Sequence, residues 1–280
     1  MGEHRQPILD FYLLIPYYNN LSGLLRSLES VHYDHEQYAI LIVDDGSRQP
    51  LQEEDLAAVM PSSVAVRILR LPVNKGITKA LNTGLEWLAQ QNDHRYVARL
   101  DCGDLCAPER FNRQVAYLNA HPAIDLVGSW CVFKNFSTGH SYRYITPTEH
   151  KEIFRSMHFR NIFIHPTVMW RAAVTERAGI YPENYPHAED YGFFYEIINR
   201  GQGAVLPENL VTCEINPNGL SLSFRKEQLR SRMQVVKDYG KNRLFSLIGV
   251  LKLRILMVIP YKTILGIKRM TYGIKRMSVY

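Results

Sequence analysis

Three short apolar runs, each closing on a turn of acidic and small residues, constrain this chain more than any other feature. Phe11–Ile15 leads into IPYYNN (Ile15–Asn20), Tyr38–Val43 into VDDGS (Val43–Ser47), and Tyr96–Leu100 into RLDCGD (Arg99–Asp104). Near-continuous apolar runs of this length read as strands buried on both faces, the habit of a parallel sheet. The turns beyond the carboxyl ends of such strands are where an open α/β sheet meets its ligand. A fourth fragment, HAED (His187–Asp190), adds an acidic pair much later in the chain.

Helical periodicity fills the gaps. Leu21, Leu24, Leu25, Leu28 and Val31 recur at helical spacing, and Gln52–Val59 also reads as helical. Val64–Leu69 is a strand. In NKGITKALNTGLEWLAQ, Gly76 punctuates the start of a helix whose face carries Ile77, Ala80, Leu81, Leu85 and Leu88. Pro108 opens a helix to Ala120, and Ile124–Phe133 is again strand-like. This alternation predicts an α/β fold with a mainly parallel central sheet flanked by helices. Further on, the pattern predicts a helix over Thr148–Phe159, a strand at Thr167–Trp170, a helix over Tyr191–Arg200, and two short strands at Ala204–Leu206 and Leu210–Ile215.

Charge divides the chain. The net +6 hides fourteen Lys and Arg against two acids from Arg225 onward, a net +12, and −6 before it. Phe224–Lys241 reads as a basic amphipathic helix, followed by an apolar stretch, Leu244–Ile267. Its fourteen Leu, Ile, Val and Phe favour a bilayer interior by about 4–8 kcal/mol, but Lys252 and Arg254 oppose it by about 5–7 kcal/mol before Pro260 and Lys262 are counted. Lying in the interface is therefore favoured over spanning. Packing on the body, or on a second copy as a homo-oligomer, is the alternative. The expected division is a catalytic body, residues 1–223, and a helical tail, residues 224–280. No secretory signal or myristoylation site is expected, because MGEHRQP is polar and Gln6 stands where Ser or Thr is needed after Gly2. Cys102, Cys106, Cys131 and Cys213 form no C-x-x-C pair and read as reduced thiols, without zinc.

The motifs suggest chemistry that none carries alone. The Asp44–Asp45 pair ends a strand where it could meet a base or ribose, yet Asp-Gly is also an ordinary turn. Asp101 and Asp104 flank a small turn that could hold a divalent cation against a diphosphate, or cap the helix after Pro108. Glu189 and Asp190 adjoin a helix start, where mutual repulsion raises a carboxylate towards a useful base or where charge simply meets the helix dipole. His165, beside Pro166, could orient substrate or serve a turn. A dinucleotide fingerprint, a P-loop and G-x-S-x-G are all absent from the sequence.

In order and spacing these motifs resemble the family 2 glycosyltransferases, which have the GT-A fold. The resemblance runs from about Phe11 to Ser223 through IPYYNN, LIVDDGS, NKGITKALNTGL, ARLDCGDLCAPERFNRQV, HPTVMWR, HAEDYGFFYEI and LPENLVTCEINPNGLS. It implies that Pro16 and Tyr18 line the base pocket, with Tyr18 stacking, and that Asp44 and Asp45 hydrogen-bond base or ribose. It implies that Asn74, Lys75, Gly76 and Arg99 bind the donor, that Asp101 and Asp104 hold donor sugar and Mn²⁺ or Mg²⁺, and that His165 and Glu189 lie on the acceptor side. Asp190 would be the general base of a single inverting displacement. One departure stands out: the family commonly has Asp-x-Asp-Asp at the metal motif, and here the third position is Gly103. The Gln-x-x-Arg-Trp signature of processive synthases is also absent, which implies addition of one sugar.

The resulting expectation is an enzyme that moves one sugar from a nucleotide-diphosphate donor, UDP-sugar ahead of dTDP-sugar, to a lipid-linked saccharide in O-antigen, capsule or exopolysaccharide assembly. It would be cytoplasmic and peripheral to the inner face of the plasma membrane, its tail on anionic lipid, with no nucleic-acid partner. The alternatives are a sugar nucleotidyltransferase, which would need a Gly-rich phosphate loop near the amino end, and a non-catalytic nucleotide-sugar-binding protein derived from a transferase, which Gly103 would favour.

Overall fold

A computed structural model of the chain describes residues 8–215 and 224–259. The expectations placed on Gly2, Pro260 and Lys262, and the end of the LPENLVTCEINPNGLS segment, lie outside the described residues. The central sheet is built from β1 (Leu9–Tyr17), β2 (Tyr38–Asp44), β3 (Ala65–Arg70), β4 (His94–Arg99), β5 (Leu105–Cys106), β6 (Ile124–Lys134), β7 (Ser141–Tyr144), β8 (Met169–Arg171) and β9 (Gln202–Glu214). Its order is β3-β2-β1-β4-β8-β6-β9-β5, with β7 on β6. The first four strands are mutually parallel, with Tyr17 opposite Asp44 and Leu14 opposite Arg99. β6 and β9 are parallel too, while β8, β5 and β7 pair antiparallel. The sheet is thus mixed and mostly parallel. The chain winds outward from β1 through β2 to β3, then returns to the other side of β1 as β4. That reversal makes the β1–β4 crevice a topological switch point.

Both faces of the sheet are dry. Tyr12 and Leu14 of β1 belong to one buried cluster, and Phe11, Leu13 and Ile15 to the other. β2 alternates likewise, Leu41 and Val43 against Ile40 and Ile42. This alternation between two cores explains why these strands read as unbroken apolar runs. The second cluster takes the apolar faces of α1 (Leu21–Glu29) and α3 (Arg110–Ala120); the first takes α2 (Ile77–Leu88) and α6 (Glu189–Arg200). α4 (His150–Met157) and the single-turn α5 (Ala173–Ala178) complete the body.

Three sequence expectations changed for physical reasons. The helix expected over Gln52–Val59 is one 3₁₀ turn, Glu53–Leu56, because Leu56 is its one buried side chain and no apolar face exists to be covered. The two short strands expected after Gly203 are a single strand, β9. Pro207 lacks an N–H, and the register against β6 jumps from Leu206 opposite Ser129 to Asn209 opposite Trp130, so a bulge absorbs the interruption. The helix expected from Tyr191 begins earlier, at Glu189, which places both acids in its first turn.

The tail is two helices, α7 (Arg225–Tyr239) and α8 (Arg243–Val258). Leu229, Val235 and Val236 of α7 and Val250 and Leu253 of α8 are buried in the same core cluster as Met157 and Tyr195. The inner faces of both helices therefore pack on the body. Leu244, Leu247, Ile248, Leu251, Ile255 and Val258 stay exposed along the outer face of α8. Among the described residues no helix is long and apolar enough to cross a membrane.

One buried clasp joins α2 to the segment before α6. The Asn82 Nδ2 donates to the Tyr181 carbonyl at 2.8 Å, and the Tyr181 amide donates to Asn82 Oδ1 at 2.9 Å. Asn82→Ala strands both backbone groups in a dry core and should lower unfolding free energy by about 2–4 kcal/mol in urea titration. A loss near zero would show that water replaces the amide.

Candidate active site

The first three motifs follow the carboxyl ends of the parallel strands β1, β2 and β4, where hydrogen bonds lace them together, and the fourth faces them from the start of α6. Asn19, at φ 48°, receives the Arg48 amide on Oδ1 at 2.9 Å, and its own amide donates to Ser47 Oγ at 2.9 Å. Asp44 is fully buried; its oxygens accept from the amides of Ser47 (2.9 Å) and Leu51 (3.2 Å), which curls the VDDGS turn. Asp45 accepts from the amides of Lys75 (2.7 Å) and Gly76 (2.9 Å) and so holds the Asn74–Gly76 loop against that turn. Gly46 makes this closeness feasible. Its φ is +68°, and a Cβ there would lie 2.4 Å from the Val73 carbonyl carbon. Both aspartates thus shape the rim, Asp44 from a fully buried position and Asp45 with 4% of its surface exposed. Pro16 ends β1 half-buried; Tyr18, Asn74 and Lys75 are exposed around the rim.

Arg99 is the buried centre of the site. Its Nη1 donates to the carbonyls of Leu14 and Leu100, both at 2.8 Å, and its Nη2 to Asp101 Oδ1 at 2.5 Å. Its Nε donates to His165 Nε2 at 3.2 Å, and that nitrogen also lies 2.9 Å from the Tyr181 hydroxyl. Facing two donors, Nε2 must be the unprotonated nitrogen. Burial, with the guanidinium beside it, lowers the imidazole to about 3, so His165 is neutral. Burial opposes ionisation of Asp101, but the Arg99 guanidinium beside it outweighs that and holds the carboxyl below its ordinary range.

The RLDCGD loop is gripped from both sides. On the α1 side, Ser27 Oγ donates to the Asp101 carbonyl at 3.2 Å and accepts from the Gly103 amide at 2.9 Å. On the β9 side, Asp104 Oδ1 accepts from the Glu214 amide at 2.7 Å. Asp104 is 7% exposed, and burial together with Asp101 raises its carboxyl well above the usual value. Gly103 has φ +104°, and a Cβ on it would lie 2.3 Å from Glu214 Oε2. The space a side chain at 103 would use is therefore filled by the Glu214 carboxylate. Among the described residues no group of three or more His, Cys, Asp or Glu is arranged to hold a metal ion. The donor set is nevertheless all carboxylate oxygen, which suits Mg²⁺ or Mn²⁺ completed by substrate phosphates.

The acidic pair faces this centre from the first turn of α6. Asp190 Oδ2 accepts from Asn161 Nδ2 at 2.9 Å and Oδ1 from the Tyr191 amide at 2.7 Å. Burial raises Asp190 against the pull of Arg232, which α7 brings to face it, and of those two hydrogen bonds. Glu189 is buried with Oε2 lacking a hydrogen-bond partner. Burial first, then Asp190, pushes it up to about 8, with Asp101 adding to the rise. The structure therefore brings Arg99, Asp101, His165, Glu189 and Asp190 into one electrostatic neighbourhood. Sequence reasoning missed Asn161, Tyr181, Arg232 and Glu214. Arg232 looked like one more cation of a basic helix, and the other three carried no local signal.

Comparison with known proteins agrees with this geometry. Residues 12–177 match the model of glycosyl transferase family 2, and the chain belongs to that family. It is 32% identical over 235 residues to the amylovoran biosynthesis glycosyltransferase AmsE of Erwinia amylovora, covering 81% of this chain and 84% of that one. Its fold is similar to S. aureus TarS residues 1–349 in complex with UDP-GlcNAc, with TM-score 0.63, 18% identity, and 88% and 71% of the two chains covered. It is also similar to the mannosyltransferase PcManGT of Pyrobaculum calidifontis in complex with GDP-Man and Mn²⁺, with TM-score 0.59, 16% identity, and 89% and 69% covered. The fold is GT-A-like, and the protein is a nucleotide-sugar glycosyltransferase.

The buried acid yields a pH-dependent prediction. Glu189 titrates near 4.5 when exposed and near 8 when folded. The raised value means its contribution to stability is full below 4.5 and lost as pH rises through about 8. Glu189→Gln stays neutral throughout. Thermal melts should match wild type at pH 5 and favour the variant at pH 9, by on the order of 2–4 kcal/mol. A gap independent of pH would mean Glu189 is not protonated in the fold.

Proposed function

We propose that this protein transfers a single sugar, with inversion, from a nucleotide-diphosphate sugar to a hydroxyl of a lipid-linked saccharide in surface-polysaccharide assembly. The observation that carries the reading is Asp190. Its carboxylate stands at the first turn of α6, partly exposed, raised by burial, and within electrostatic reach of Asp101. A carboxylate of raised basicity beside the donor motif suits deprotonation of an acceptor hydroxyl. The oxygen forms a bond to the anomeric carbon from the face opposite the diphosphate, the anomeric C–O bond breaks, and the nucleoside diphosphate leaves with that electron pair. The proton goes to Asp190, oriented by Asn161 and the Tyr191 amide. Neutral Glu189 donates to acceptor or sugar oxygen, and His165 keeps Arg99 in place. When bound, a divalent cation would neutralise the leaving diphosphate, with Asp101 as one holder.

A UDP-sugar is the preferred donor, given that the similar TarS structure holds UDP-GlcNAc. PcManGT holds GDP-Man, so the base is a matter for the binding assay. The AmsE relative's role in amylovoran biosynthesis supports a saccharide acceptor. A membrane-facing acceptor is supported by the outer face of α8, where Leu247 is 67% and Leu251 55% exposed with Lys252 and Arg254 alongside. The body, residues 1–223, would carry donor chemistry and the tail, residues 224–280, would dock it on lipid.

Asp190→Asn should lower the transfer rate about 10²–10⁴-fold while nucleotide binding by calorimetry is unchanged. Undiminished transfer would remove Asp190 as the base. For the tail, Leu247→Glu with Leu251→Glu should abolish flotation with vesicles of anionic phospholipid and leave the circular dichroism spectrum unaltered. Retained flotation would count against lipid docking by this face.

A further inference from the structure

The family's metal motif has lost a carboxylate at Gly103, and the fold has placed another one in the same space. We infer that Glu214 of β9 supplies the second carboxylate that holds the divalent cation, in place of a side chain at position 103. The inference deepens the transferase reading and rests on it.

Four observations carry it. A Cβ at Gly103 would collide with Glu214 Oε2 at 2.3 Å, so the Glu214 carboxylate occupies the start of the path that an aspartate at 103 would follow. The backbone there, at φ +104°, suits glycine and strains any other residue, so the loop is built around the substitution. Asp104 faces inward, 7% exposed, with Oδ1 on the Glu214 amide; it is a positioning residue that fixes where β9 delivers Glu214. The side chains of Asp101 and Glu214 are instead 33% and 31% exposed, so each keeps carboxylate surface open to a ligand.

Arg26 completes the picture. Its Nη2 lies 3.4 Å from Glu214 Oε2 and would lie 3.9 Å from a Cβ on Gly103. Both partners are partly exposed, so the pair is a weak one that a divalent cation can displace. Mg²⁺-type ions need only one or two carboxylates when a diphosphate supplies further oxygens. Asp101 and Glu214 meet that requirement from opposite sides of the loop, one from the end of β4 and one from the end of β9.

The test counts bound Mn²⁺ on the full chain by the paramagnetic resonance signal of the free ion, with saturating UDP or GDP. Glu214→Gln should weaken Mn²⁺ binding about tenfold or more. Nucleotide binding without metal, and the melting temperature, should not move. Arg26→Met, which leaves Glu214 without its counter-charge, should keep or tighten Mn²⁺ binding. Wild-type affinity in Glu214→Gln would overturn the inference. So would an equal loss in Arg26→Met, because the pair would then be a structural tie. A wild-type protein that binds UDP or GDP but no Mn²⁺ would overturn it and leave the transferase reading standing. One that binds neither nucleotide would overturn both.

Discussion

A guanidinium with no exposed surface, that of Arg99, is the constraint around which this molecule is organised. An unpaired buried cation would cost several kcal/mol, and the fold offsets this by surrounding it with acceptors. Two are the carbonyls of Leu14 in β1 and of Leu100 just past the end of β4, so the charge straddles the switch point and ties the two strands at their carboxyl ends. The third is Asp101, whose ionised state the pairing secures. The fourth is His165, which burial and Arg99 keep neutral. Arg110 of α3 adds to the arrangement by donating to the Arg99 carbonyl at 2.7 Å. Removing any one acceptor would leave one N–H of a fixed, buried charge unpaired. That is the sense in which the RLDCGD loop, the His165 turn and the core under α3 form one unit.

Around that charge the site is largely a construction of backbone amides held by side chains. Asn19, Asp45 and Ser27 each hold an amide of another loop, Asp44 holds amides of its own turn, and Asp104 holds the amide of Glu214 at the end of β9. The rim is therefore rigid by mutual restraint, although its turns lie outside regular secondary structure. Such preorganisation reduces the ordering cost of binding a flexible nucleotide sugar.

The sheet's parallel half was legible because its strands are buried on both faces, which leaves a continuous apolar run followed by a polar turn. The short antiparallel pieces were not. β5 has two residues, and β7 (SYRY) has a polar surface pattern, so neither offers a period to detect. β9 was read as two strands because Pro207 interrupts hydrogen bonding, and only the register against β6 shows continuity. Within the site, residues that follow strands could be found by position. Arg99 could be placed in the donor motif, but its role as a buried hub depends on Leu14 and His165, 85 and 66 residues away. Asn161, Arg232 and Glu214 likewise gain meaning from partners that the topology supplies.

The tail shows how one segment can satisfy two opposing readings. As a sequence it offered either packing or a lipid surface. In the fold, α7 and α8 form an antiparallel-like layer whose inner residues, Val235, Val236, Val250 and Leu253, join the core beside α6, while α7 turns Arg232 towards Asp190. α8 has more apolar residues than one face can hold, and the surplus lies on the outside, from Leu244 to Val258. A helix that merely covered the core would carry polar residues there. A helix that merely anchored would not share a core with α6. Because α8 does both, any surface that covers its outer face is mechanically connected, through α7 and α6, to the carboxylate proposed to accept the proton. Under the proposed reading, a surface that covers the exposed face of α8 would set the orientation of α6 above it.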